Sequence, residues 1–91
     1  MKVKIELFAT LREMVGNSLL EIENVENVRE AVEALIEMFG ARIKEILMEG
    51  DEKKESVKIL VNGKDIRDLA GLETKLRNGD CISIFPPVAG G

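Results

Sequence analysis

Only one stretch of this chain has the pattern of a long helix, and the rest of the fold has to be arranged around it. Val28, Ala31, Val32, Leu35, Ile36 and Phe39 recur at helical spacing, while Arg29, Glu30, Glu33 and Glu37 fill the opposite side. Asn27 with Glu30 three residues later has the form of an N-cap followed by an acidic third residue, close to a capping box. Gly40 stands where a C′ glycine ends a helix. One amphipathic helix exposes one apolar stripe, and a sheet is the natural surface to cover it.

The strands are written as period-two alternation. "KVKIELFA" puts Val3, Ile5 and Leu7 on one face and Lys2, Lys4 and Glu6 on the other. "LREMVGN" is a short connection with room for a helical turn, and "SLLEIENV" continues as a second strand with Leu20 and Ile22 inward, so the two strands form a hairpin. After the helix, "ARIKEILMEG" reads as a shorter amphipathic helix carrying Ile43, Ile46 and Leu47 and closed by Gly50, and "DEKKES" reads as a solvated charged loop. Val57, Ile59 and Val61 share the inner face of a third strand that turns at Asn62-Gly63 into a short partner. "LAGLETKLRNGD" is a loop with one helical turn, and "CISIF" is the last strand, with Ile82 and Ile84 inward, stopped by Pro86-Pro87.

The order β-β-α-(α)-β-β-(turn)-β, with a helical crossover after the first hairpin, suits one mixed sheet of about five strands over one main helix plus a short second helix. The last strand belongs in the middle, beside the first. That architecture is α+β, a β-grasp or ubiquitin-like fold. With 91 residues and 45% apolar content, residues 1–91 make a single domain.

Composition removes whole classes of chemistry. The chain has no His and one Cys, so Cys/His zinc sites, Ser-His-Asp triads, Cys-His pairs and an internal disulfide cannot be built from it. Thirteen Lys and Arg against 17 Asp and Glu give a net charge of −4, which argues against nucleic acid or an anionic membrane and for a protein partner with a basic surface. No run approaches the roughly 18 apolar residues of a membrane span, and the N-terminus alternates rather than forming a signal-peptide core, so the expected setting is cytoplasmic.

The segment that carries function is the last one, "FPPVAGG". Pro86 and Pro87 fix φ and favour an extended course, so residues 86–91 are expected to form a flexible tail launched away from the sheet. The four residues from Val88 to Gly91 have no strand to pair with, and extended they reach on the order of 13 Å at about 3.3 Å each. Gly90 and Gly91 lack Cβ atoms, so a narrow channel can close around the backbone and reach an unobstructed final carboxyl. A discarded tail is usually polar, whereas Phe85-Pro86-Pro87-Val88 is apolar.

Strand parity adds a second inference. If Val57, Ile59, Val61, Ile82 and Ile84 face the helix, then Leu60 and Phe85 point to the other face, with Cys81 and Ser83 beside them. Apolar side chains on an open sheet face mark Leu60 and Phe85 as partner contacts near the root of the tail; the alternatives are that scattered surface apolars carry no meaning or that the parity slips. Cys81 reads as a small packing residue, and Met14, Met38 and Met48 as core filler.

With those residues in view, the chain resembles the small subunit of molybdopterin synthase, a ubiquitin-like sulfur carrier, nearly end to end. "LREMVG" resembles that family's opening, "VNGKDI" its hairpin and "NGDCISIFPPVAGG" its closing segment. The resemblance implies a chain that is not catalytic on its own and binds no cofactor. A ubiquitin-activating-type enzyme would spend ATP to adenylate Gly91, and a sulfur donor would convert the product to a thiocarboxylate. The large synthase subunit would then take Pro86, Pro87, Val88, Ala89 and Gly90 into its active site, in a hetero-oligomer that delivers sulfur to the pterin precursor of the molybdenum or tungsten cofactor. The alternative is a ubiquitin-like modifier joined through Gly91 to lysines of target proteins.

Overall fold

In the computed structural model residues 1–87 are described. Strand β1 (Lys2–Leu7) leads into helix α1 (Ala9–Val15) and strand β2 (Leu19–Glu23); helices α2 (Val28–Phe39) and α3 (Ala41–Leu47) follow. The chain continues through β3 (Met48–Glu49), β4 (Glu52–Lys53), β5 (Lys58–Val61) and β6 (Lys64–Asp65), makes single 3-10 turns at Ile66–Asp68 and Gly71–Glu73, and ends in β7 (Cys81–Phe85). Five strands form one sheet in the order β2-β1-β7-β5-β6. Only β1 and β7 run parallel; the other pairs are antiparallel. The last strand is central, as the β-grasp reading requires.

The alternation decides what is buried. Val3, Ile5, Leu7, Ile59, Val61, Ile82 and Ile84 from the strands join Val28, Ala31, Val32 and Leu35 of α2 and Ile43 and Leu47 of α3 in a single core. Asn27 caps α2 by accepting a hydrogen bond from the Glu30 N–H at 2.9 Å, and the Glu30 carboxylate accepts one from the Glu26 N–H at 2.9 Å. The capping box therefore closes one residue earlier than its usual form. The start of α2 is also tied to the segment before β7, since Val28 N–H donates to the Thr74 carbonyl and Leu76 N–H to the Glu26 carbonyl.

Gly40 joins α2 directly to α3 with φ 97° and ψ −179°, a backbone region essentially confined to glycine. It ends α2, yet not in the left-handed form of a usual C′ glycine. Asn62 and Gly63, at φ 51° and 85°, make the β5–β6 hairpin turn with both central residues left-handed.

Four expectations need correction. The connection after β1 holds a seven-residue helix rather than a turn. "DEKKES" is not wholly a solvated loop, because Glu52–Lys53 pairs with Met48–Glu49 in a two-stranded ribbon. Within it the Lys53 ammonium donates to the carbonyls of Lys54 at 2.9 Å and Val57 at 2.6 Å, so its charge is satisfied along its own chain. Gly50 turns this ribbon rather than closing α3, which ends at Leu47. Met14 and Met38 are exposed, Met38 at 54%, because it falls off the inward stripe of α2, on which Ile36 and Phe39 still pack against the core.

Candidate functional site

The face of the sheet turned away from α2 is built by the other half of each alternation. In β7, Ile82 and Ile84 are buried while Cys81, Ser83 and Phe85 are half-buried on the outer side. Pairing places Leu60 beside Ser83 and Lys58 beside Phe85 from one direction, and Lys4 beside Cys81 and Glu6 beside Ser83 from the other. Leu60 and Phe85 thus lie on the open face, Phe85 at the end of the central strand and Leu60 beside its middle residue, Ser83.

Phe8 completes this surface. It follows Leu7 at the end of β1, and its ring stacks on Phe85 with centroids 4.2 Å apart and planes 13° apart. The signal was present in the sequence, because Lys4, Glu6 and Phe8 fall on the same side of the alternation that turns Val3, Ile5 and Leu7 inward. What the sequence does not show is that β1 and β7 are adjacent and parallel, which brings the two rings together. Leu69, 43% exposed, adds another apolar side chain. It shares with Leu60 a shallow depression of about 630 Å³ walled by Lys58, Lys64, Asp65 and Asp68. Asp65 is committed within that wall: Arg67, at 3.0 Å, holds its carboxyl below the usual carboxylate range, mainly through their side-chain hydrogen bond.

The beginning of β7 is held rigidly. Asn62 accepts a hydrogen bond from the Cys81 N–H at 2.9 Å, donates its backbone N–H to the Cys81 carbonyl at 2.8 Å, and donates its side-chain amide to Asp80 at 2.9 Å. Asp80 also accepts from the Arg77 N–H at 2.7 Å. The strand that leads to the C-terminus is therefore fixed at its start by the β5–β6 turn and on both flanks by neighbouring strands. Its direction at Phe85 is set by the fold.

Cys81 lies on the same face, 3.6 Å from a carboxylate oxygen of Glu6. Burial above all, and then the Glu6 charge, push its thiol pKa up. A thiol kept protonated in this way is a weak nucleophile, in keeping with a packing residue.

Pro86 is buried, continuing the inward series of Ile82 and Ile84. Pro87 is half-buried. Val88, Ala89, Gly90 and Gly91 lie outside the described residues. Among the described residues no group of His, Cys, Asp or Glu side chains could hold a metal ion, and no helix is long and apolar enough to cross a membrane.

A mixed five-stranded sheet over one main helix, with the C-terminal strand central and an apolar patch at its end, defines a ubiquitin-like β-grasp protein. The chain belongs to the ThiS family, whose model matches residues 5–91. It is 34% identical over 91 residues to a proposed sulfur carrier protein of Archaeoglobus fulgidus, with both chains fully covered. The solution structure of the small archaeal modifier protein 1 from Methanosarcina acetivorans is 41% identical, with a TM-score of 0.84 over 99% of this chain and 96% of that one. A proposed subunit 1 of a molybdopterin converting factor from Pyrococcus furiosus is 32% identical, with a TM-score of 0.76 over 97% of this chain and 99% of that one.

Proposed function

We propose that this protein is a sulfur carrier acting as the small subunit of a molybdopterin synthase, with Gly91 as the residue that carries the sulfur. The observation behind this reading is the placement of the closing segment. The central strand β7 runs out at Phe85, stacked on Phe8 and on the same sheet face as Leu60, directly ahead of the Pro-Pro-Val-Ala-Gly-Gly run that the family model covers. The apolar face docks the partner, and the glycines thread into it because they present only backbone.

A carboxylate is a poor acyl donor to a sulfur nucleophile until its oxygen becomes a leaving group. In the proposed cycle the Gly91 carboxylate attacks ATP held by a ubiquitin-activating-type enzyme, expelling pyrophosphate and forming an acyl-adenylate. A donor's sulfur at the oxidation level of sulfide attacks the acyl carbon and AMP leaves, so that one carboxyl oxygen is replaced by sulfur with no change of oxidation state. The thiocarboxylate sulfur then displaces an oxygen leaving group of the pterin precursor in the active site of the large subunit, and water cleaves the acyl–sulfur bond of the resulting thioester, leaving sulfur on the pterin and restoring the carboxylate. Acid-base groups come from the partners. ATP is bound by the activating enzyme and not by this chain, and the cycle runs in the cytoplasm in a hetero-oligomer.

A second reading has its own support, in the 41% identity to a small archaeal modifier protein: the same activated Gly91 would be joined to lysine amines of target proteins. Intact-mass spectrometry of the protein from its native cell separates the two. A fraction heavier by the replacement of one oxygen by sulfur, and alkylated at the terminus, supports the carrier. Gly91 in isopeptide linkage without any thiocarboxylate replaces it with the modifier. Deleting Gly91 leaves unfolding unchanged and abolishes adenylation in either case, whereas adenylation of the shortened chain at its normal rate would remove both readings.

A further inference from the structure

A second concave surface lies away from the sheet face. It is a groove of about 220 Å³ whose walls come from α2, α3, the β3–β4 ribbon and the Gly71–Glu73 turn, with no contribution from the five-stranded sheet. Val32, Ile36, Met48 and Leu72 supply its apolar lining. The volume is below the roughly 300–1,000 Å³ of small-molecule pockets and suits one or two side chains of a protein segment.

Charge at the rim identifies that segment. Glu33 and Glu37 are exposed one helical turn apart, where like charges repel, and Asp51 stands on the ribbon side. Among the described residues none of these three carboxylates is ion-paired. Of the two cations present, Arg29 donates to Glu73 at 2.6 Å and to the Asp51 carbonyl at 2.8 Å, and its charge also acts on Asp51 and Glu33. With Glu73 counted, four acids face Arg29 and Lys44, which leaves the rim net acidic. We propose that this groove docks a short partner segment in which an apolar side chain is flanked by Lys or Arg, the apolar group entering between Ile36 and Met48 and the cations facing Glu33, Glu37 and Asp51. Because it shares no wall with the Phe8, Leu60 and Phe85 surface, a partner held here leaves that surface free, so the domain can be gripped from two sides at once.

The test is a titration of the isotope-labelled full chain with the synthetic peptide Gly-Arg-Arg-Leu-Leu-Arg-Arg-Gly and its Glu-flanked counterpart, followed by amide chemical shifts. The expected result is saturable binding of the Arg peptide, with shifts at Val32, Ile36, Met48 and Asp51 and none at Ser83 or Phe85. Glu33→Lys combined with Glu37→Lys, both at exposed positions that leave the fold intact, should weaken binding about tenfold or more, and Lys44→Glu should strengthen it. Shifts centred on the sheet face, equal binding of the Glu peptide, no saturation at millimolar peptide, or indifference to the Glu substitutions would each overturn the proposal.

Discussion

Truncating Phe8 and Phe85, singly and together, measures how firmly the root of the C-terminal segment is held. The rings are stacked at 4.2 Å with planes 13° apart. Such pairs contribute about 0.5–1.5 kcal/mol beyond the area they bury. Both rings are half-buried, so water competes for their outer surfaces and the lower part of that range applies, about 0.5–1 kcal/mol. This corresponds to roughly a two- to fivefold change in the folding equilibrium. Each single truncation also removes the ring's contacts with its own strand, so the quantity of interest is the coupling in a double-mutant cycle, read from urea midpoints at constant m-value. Additivity of the two truncations to within about 0.3 kcal/mol would refute the idea that the rings act as a unit. The same variants address function. If Phe8 works by holding Phe85 in place, Phe8→Ala weakens partner binding in the wild-type background and has little further effect once Phe85 is Ala.

Three other outcomes follow from single contacts. Asn27→Ala removes the acceptor for the Glu30 N–H and should cost about 1 kcal/mol in denaturant unfolding, with Asn27→Asp within a few tenths of wild type; equal losses for both would contradict the capping role. Ala9 has φ 53°, a left-handed conformation that costs a non-glycine residue about 1–2 kcal/mol. After the greater unfolded-state freedom of glycine is subtracted, Ala9→Gly should stabilise by about 0.5 kcal/mol, and a lowered midpoint would show that Ala9 is not strained. The raised Cys81 pKa shifts alkylation of the native thiol to higher pH than alkylation of the urea-unfolded chain, and Glu6→Gln should move it part of the way back. By linkage, stability from the neutral thiol is fully present below the unfolded thiol pKa and is lost as pH rises through the native one. Coincident alkylation profiles for native and unfolded chains would exclude this.

The inward and outward sides of the strands could be read locally because a strand alternates with a period of two. Val3, Ile5 and Leu7, or Ile82 and Ile84, carry their own assignment. The same local logic located Leu60 and Phe85 on the outer face. It failed where the backbone conformation decided the contact or where the residue type misled. Lys53 reads as one charge among several, yet its ammonium is bound by the carbonyls of Lys54 and Val57, contacts that depend on the backbone conformation of the segment and not on residue type. Met38 carries the hydrophobicity of a core residue but lies off the stripe of α2 that carries Leu35, Ile36 and Phe39.

By itself the sequence determined the main helix and its cap, the strand faces, the order of the five strands of the main sheet and the closing run of prolines and glycines, since each rests on residues within a few positions of one another. The tertiary structure alone decided that Phe8 stacks on Phe85, that Leu69 joins Leu60, and that Glu33, Glu37 and Asp51 rim a groove floored by Ile36 and Met48. Those neighbours come from elements far apart in the chain, and their proximity is set by strand pairing and helix packing, which minimise the exposed apolar area of the whole domain at once.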